Sequence, residues 1–259
     1  MDHSKPNNAT MSHFIVPDWP TPTNVRALST TRHGGISLPP YDSLNLGDHV
    51  GDKPDHVAAN RARLLATAAL PAAPRWLQQV HGTRCVDVAT VSDNEAADAG
   101  ISHTADVVCA VMTADCLPLL FCDRAGTRVA AAHAGWRGLL GGVIESTLTA
   151  LACPGDQLLA WLGPAIGPTA FEVGSEVRDA FLAEDARQAH AFRPSAQAGK
   201  WLCDLYALAR HRLLRAGVTA IYGGDRCTLT EADTFFSYRR DGTTGRMASL
   251  IWLAATENR

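Results

Sequence analysis

TADCLPLLFCDRAGTRVAAAHAGWRG, residues 113–138, carries two apolar runs, Leu117 to Cys122 and Val129 to Ala132, on either side of the turn-like Asp123-Arg124-Ala125-Gly126. Short apolar runs around such a turn are the pattern of a β-hairpin. A hairpin that pairs Asp123 with Gly126 sets Cys116 directly opposite His133, where facing side chains reach a common atom. A three-residue loop would shift the register by one and leave the two diagonal but near. The hairpin therefore delivers a thiol and an imidazole to one spot.

At 259 residues the chain has room for one large domain or two small ones, and 46% hydrophobic with 19% charged residues fits a globular protein with a substantial core. A net charge of −3 gives no reason to expect nucleic acid or an anionic membrane as partner. No apolar stretch reaches the roughly 18 residues a membrane span needs. The opening MDHSKPNNATMSHFIVPDWP lacks the basic start and apolar stretch of a secretory signal, and residues 1–12 read as a disordered tail. The seven cysteines are odd in number and form no CxxC pair, which argues against a disulfide scaffold and for a cytoplasmic setting.

Outward from the hairpin, NVRALSTTRHGGIS reads as a strand entering a Gly-rich turn, and YDSLNLGDHVGDKPDHV as a polar loop. A helix is expected over Pro54 to Leu70, capped by Asp52. RWLQQVHGTRCVDVAT suggests two short strands interrupted at His81-Gly82, residues 92–104 an acidic loop, and ADVVCAVMTADC a buried strand. After Gly135 a helix carries Leu139, Leu140, Val143, Ile144 and Leu148. QLLAWLGPAIG is a buried strand, EVGSEVRDAFLAED and DLYALARHRLLRAGV have helical spacing, and AIYGG, TFFSYRR and RMASLIWLAA read as strands, the last two joined by DGTTG. No linker or repeat interrupts the pattern. The expectation is an α/β (α+β mixed) architecture, with residues 13–259 a single layered domain of mixed β-sheets covered by helices, α/β/β/α-like.

His81 stands in a context like that of His133: each ends an apolar run and is followed by glycine within two residues. His81, Cys116 and His133 together match the borderline-soft preference of zinc, and three protein ligands leave a fourth position for water or substrate. Copper also accepts thiolate and imidazole but ranks below zinc. The rivals are two ordinary core histidines and a metal-free dyad, with Cys116 as nucleophile and His133 as base.

LQQVHG, TADCLPLLF and AAHAGWRGLLGGV resemble signature segments of the YfiH-type laccase-domain family, also called multicopper polyphenol oxidases. LNLGDHVGD, NRARL, GPAIGPTAFEVG and FFSYRRDGTTGRMASLIWL extend the resemblance over about residues 25–254. It implies zinc on His81, Cys116 and His133 and purine nucleoside phosphorylase activity, beside adenosine deaminase and methylthioadenosine phosphorylase activities. It also implies roles for Asn45 and Arg61 in nucleoside and phosphate binding, whereas unaided reading makes them a turn former and a solvated helix residue. The family includes a role in peptidoglycan precursor editing, which leaves a Cys-dependent amide hydrolase as an alternative function. A multicopper oxidase needs many paired histidines; this chain has ten and no HxH pair.

Phosphorolysis of purine nucleosides requires fixed positive charge near the phosphate. Arg137 follows His133 where a helix opens, and its fork suits phosphate as well as a plain surface role. Phe171 and Glu172 could stack on and hydrogen-bond a purine, with core packing the default for Phe171. Arg240 and Arg246 flank DGTTG and could close the site, or merely decorate a surface hairpin. Deamination needs a proton-carrying carboxylate, for which Asp115 is the candidate, with capping the turn as its ordinary role. The HxE…PCxxC pattern of the familiar base deaminases is absent. The expected partners are purine nucleosides and phosphate, bound by a monomer.

Overall fold

The computed structural model describes residues 13–255, so the tail expected over 1–12 lies outside the described residues. The hairpin forms as β6 (Leu117–Asp123) and β7 (Val129–Ala134). Its register pairs Cys122 with Val129 and Pro118 with His133, so Cys116 continues to face Gly135 rather than His133. The cause is the Asp123 side chain. Its Oδ1 accepts from the backbone N–H groups of Thr127, at 2.7 Å, and Arg128, at 3.0 Å. That clamp holds Arg124 to Thr127 as a longer loop, and Gly126 supplies the positive φ of 68°. The register moves by two pairs, which preserves the side-chain faces, so Cys116 and His133 stay on one face, diagonal to each other.

β6 alternates as strict period two requires. Leu117, Leu119 and Phe121 pack with α2 (Trp136–Gly141), α3 (Val143–Leu151), α4 (Ser175–Glu184) and α5 (Leu205–Arg215). Leu120 and Cys122 face the other way, toward β2 (Val25–Thr30), β5 (Cys109–Thr113) and β13 (Met247–Leu253). These three strands, with β1 (Phe14–Ile15), form a four-stranded sheet in the order β1-β2-β13-β5. On its far side Ala110, Met112, Leu250 and Trp252 meet Leu64 of α1 (Pro54–Thr67).

The hairpin itself lies in a six-stranded sheet with β3 (Cys85–Asp87), β4 (Ala99–Ser102), β8 (Leu158–Leu162) and β12 (Ala220–Gly223), ordered β12-β8-β6-β7-β4-β3. Helix, sheet, sheet and helices thus stack as α/β/β/α in a mixed α/β fold. A small sheet of β9 (Glu172–Gly174), β10 (Phe192–Pro194) and β11 (Lys200–Cys203) extends the helical side. Among the described residues no helix is long and apolar enough to cross a membrane.

Several expectations are corrected. The stretch 92–104 contains β4, whose small residues are fully shielded against β7 despite the acidic run before them. Asp52 does not cap α1: its carboxylate accepts from Ser37 and Asn45 instead, and Lys53 is the residue at the helix start. RWLQQVHG forms no strand beyond a single bridge from Gln78 to Ala96. The helix after Gly135 breaks into α2 and α3 at Gly142, whose φ is +99°. TFFSYRR is not a strand: Phe235 and Phe236 are buried anchors, Ser237 caps the one-turn α6 (Tyr238–Asp241), and DGTTG joins that helix to β13.

Candidate metal centre and the cavities beside it

The starts of β4 and β6 and the end of β7 share one rim of the six-stranded sheet: Cys116 stands just before β6, His133 is the penultimate residue of β7, and His81 lies in the turn leading to β3. His133 is the buried member of the group, Cys116 is half-buried and His81 is exposed. Their ligand atoms all lie within 4.8 Å of one another, with His81 Nε2 3.9 Å from Cys116 Sγ. Neighbouring ligands on a tetrahedral zinc stand roughly 3.5 Å apart, so the spacing suits one ion after a small contraction.

Two backbone distortions aim these side chains. His81 has a φ of +59° and Asp115, beside Cys116, a φ of +89°, both in the left-handed region that non-glycine residues seldom occupy. Each is held by named contacts. The Gln79 side chain donates to the Met112 carbonyl and accepts from its N–H, both at 2.7 Å, acting as a surrogate strand partner for β5. Asp115 accepts from Thr228 Oγ1 and from the N–H of Arg239, both at 2.6 Å. Both of its oxygens are thereby engaged, the turn-holding role open to it.

Gly135 leaves the space. A Cβ there would stand 2.9 Å from Cys116 Sγ and 3.2 Å from the His81 ring. The donor set, the spacing and this cleared volume together fit a metal ion held by His81, Cys116 and His133.

The residue sequence reading missed is Asp98, fully buried one step before β4. The pairing of Ala99 with Ala132 continues to set Asp98 beside His133. Its carboxylate accepts from His133 Nδ1 at 2.8 Å. It also accepts from the N–H groups of Val80, His81 and Gly82 at 3.1, 2.9 and 2.7 Å. Burial alone would raise its pKa; the bonds from His133 and the turn outweigh burial and hold it below the ordinary carboxylate value. An aspartate within an otherwise small, apolar AADAGIS is the signal that could have marked it.

Burial would also raise the Cys116 thiol, yet His133 and His81 beside it outweigh that and bring it down to about 6. Burial pulls His133 down, but Cys116 and Asp98 push it up to about 9. Without metal the pair favours thiolate and imidazolium. Iodoacetamide at about pH 7.5 is therefore expected to meet roughly tenfold more thiolate at Cys116 of chelator-stripped protein than at an ordinary cysteine. Labelling read by peptide mass mapping should fall away as pH drops through about 6, and metal should block it. A midpoint at about 8.5, the ordinary thiol value, would contradict the ion pair.

The cluster sits where two cavities meet, both lined by His81, Ala114, Cys116 and Tyr238. The first, about 280 Å³, adds Asp115, Trp136, Arg137, Phe171 and Arg239. Arg137 lies 4.3 Å from the Trp136 ring centre and Arg239 lies 5.3 Å from that of Phe171. The second, about 430 Å³, adds His49, Gln79, Thr113, His133 and Arg246.

Of the residues singled out from sequence, Asp115, Arg137, Phe171 and Arg246 line these cavities beside the three ligands. Arg137 does so from α2, which at six residues is shorter than the helix expected after Gly135. The others do not line them. Asn45 is fully buried, with its amide spent on Gly47, Asp52 and the N–H of Arg246, so it seats Arg246 from behind. Arg61 donates to the Leu46 carbonyl at 3.0 and 2.9 Å and lies over Trp76. Glu172 accepts from Ser195. Arg240 spends its guanidinium on the carbonyls of Thr228, Leu229 and Phe235 and on Asp241.

The chain is similar to named proteins and to solved structures. The Escherichia coli protein named purine nucleoside phosphorylase YfiH is 61% identical over 247 residues, covering 94% of this chain and 100% of the relative. A Pseudomonas aeruginosa relative, also named a purine nucleoside phosphorylase, is 58% identical over 243 residues, covering 94% of this chain and 99% of its own. The crystal structure of a Neisseria meningitidis protein superposes with a TM-score of 0.90 at 55% identity, covering 94% of this chain and 100% of that one. The family model described as multi-copper polyphenol oxidoreductase laccase matches residues 26–254. Matched over that length and so closely to YfiH, the chain belongs to this laccase-domain family.

Proposed function

We propose that this chain is a zinc-dependent purine nucleoside phosphorylase acting on adenosine, inosine, guanosine and methylthioadenosine, with adenosine deamination as a side activity. The observation that carries the proposal is the meeting of two cavities at the His81–Cys116–His133 cluster, one lined by Trp136 and Phe171 with Arg137 and Arg239, the other by Arg246 and His49. The names of the relatives support it.

Trp136 and Phe171 offer ring edges and faces to a purine, and Tyr238 stands at the opening shared with the second cavity. Arg246 lies in that second cavity and offers a phosphate positive charge, while His49, whose pKa burial and Arg246 hold below the ordinary imidazole value, adds a neutral ring nitrogen. A phosphate oxygen forms the bond to the ribose carbon as the bond to the purine nitrogen breaks, and the departing base takes up one proton. Positive charge held close to the phosphate keeps it in line for that exchange. Zinc, when bound, supplies a Lewis acid at the junction. Asp115 holds the turn that aims Cys116. On this reading the protein is a monomer in the cytoplasm, a setting that seven free cysteines suit.

Multicopper chemistry has no support in the donor set: among the described residues one group of three such ligands is gathered. The second reading is a metal-free Cys116–His133 dyad acting on an amide, as peptidoglycan precursor editing would require, and the depressed Cys116 thiol favours it. His81 within 3.9 Å of Cys116 favours the metal.

The test is incubation with inosine or adenosine, with and without phosphate and chelator. Free base and ribose 1-phosphate should form only with phosphate and should disappear with chelator. Equal product without phosphate makes the enzyme a hydrolase and ends the phosphorylase reading; inosine formed from adenosine marks the deaminase activity.

A further inference from the structure

We infer that Asp98 is the positioning residue of the metal centre: its single carboxylate fixes His133 in the tautomer that turns Nε2 toward Cys116 and clamps the turn that presents His81. The inference rests on the metal-centre reading and not on the choice of substrate.

The geometry is unusual for a buried carboxylate. Oδ1 accepts from His133 Nδ1 at 2.8 Å and from the His81 N–H at 2.9 Å. Oδ2 accepts from the N–H groups of Gly82 at 2.7 Å and Val80 at 3.1 Å. Four protein donors fill the acceptor capacity of one ionised group. Three successive backbone N–H groups converge on it because His81 is left-handed, and such a concavity binds an anion. The main chain repeats the link, since the Asp98 carbonyl accepts from the His133 N–H at 2.7 Å.

An ionised carboxylate can only accept, so the His133 proton must sit on Nδ1 and the Nε2 lone pair is left for the metal. One residue thus registers two ligands that lie far apart in sequence. A neutral amide cannot reproduce this. An asparagine in place of Asp98 would have one acceptor oxygen, and its NH₂ group would face either the donors of the turn or Nδ1 of His133.

Two measurements test the inference. In zinc-loaded wild-type protein, ¹⁵N–¹H spectra of the histidine rings should place the His133 proton on Nδ1. In Asp98→Asn, zinc affinity measured by competition with a chromogenic chelator should fall about 10- to 100-fold, while the stripped variant keeps the circular dichroism of stripped wild type. Unchanged affinity overturns the inference, and so does a wild-type His133 proton on Nε2. Should the variant fail to fold, the wild-type spectrum still decides. Neither readout involves a nucleoside, so a failed phosphorylase assay leaves this test intact.

Discussion

Replacing Cys116 by serine is expected to strip the protein of metal and to lower phosphorolysis on the order of a thousandfold. The sulfur is the only thiolate in the cluster, and its depressed pKa means that the ligand form is already populated at neutral pH. Serine keeps the size but not the anion, which leaves two imidazoles to hold the ion. A bound Lewis acid contributes several kcal/mol to stabilising developing charge, roughly a thousandfold in rate. Metal analysis by mass spectrometry and the phosphate-dependent assay read the two effects separately. Chelator-treated wild type should match the variant if the ion is what matters. Wild type that stays active in chelator, beside a dead variant, would instead make Cys116 the nucleophile. Full metal content and full rate in the variant would remove Cys116 from the chemistry altogether.

The reason this residue can be found without coordinates is parity. The hairpin expected from sequence has too short a loop, yet the error is an even step, and an even step leaves every side chain on its own face. The alternation of Leu117, Leu119 and Phe121 against Leu120 and Cys122 likewise carries the two-sided burial of β6, and with it the layered fold. Period fails where a strand is made of small residues after a charged run, which is why β4 and Asp98 hide in an apparent acidic loop.

It fails differently for arginines and amides. Arg137 and Arg246 line the cavities, Arg246 even while its Nη1 donates to the carbonyls of Thr244 and Gly245, whereas Arg61 and Arg240, also spent on carbonyls, do not; no local pattern separates a guanidinium that reaches the cavities from one that does not. Asn45, expected to bind substrate, instead holds the backbone of Arg246, a long-range contact of 2.9 Å that spacing does not reveal. TFFSYRR has the composition of a strand, but Asp115, far away in sequence, accepts from the Arg239 N–H and helps to turn the chain into α6.

Gly135→Ala carries the second large effect, because it tests the site's empty volume and nothing else. Gly135 has φ −66° and ψ 166°, a conformation alanine adopts without strain, so the backbone has no need of glycine. What the position requires is the absence of a methyl group. A Cβ at 2.9 Å from Cys116 Sγ is closer than carbon and sulfur tolerate, and at 3.2 Å it also presses on the His81 ring. The backbones behind both side chains are fixed, His81 by its N–H bond to Asp98 and Cys116 by the Asp115 turn, so relief must come from rotating the two ligand side chains themselves. The methyl group therefore pushes two ligands apart, and ligand misplacement of this kind costs about 10- to 100-fold in metal affinity. Overpacking adds about 1–3 kcal/mol of destabilisation, small enough for the variant to remain folded. Zinc titration and the melting temperature of the stripped protein separate the two costs. If Gly135→Ala binds zinc and turns over nucleoside as wild type does, the ion does not sit between His81, Cys116 and His133, because that space would then have accommodated a methyl group at no expense to the ligands.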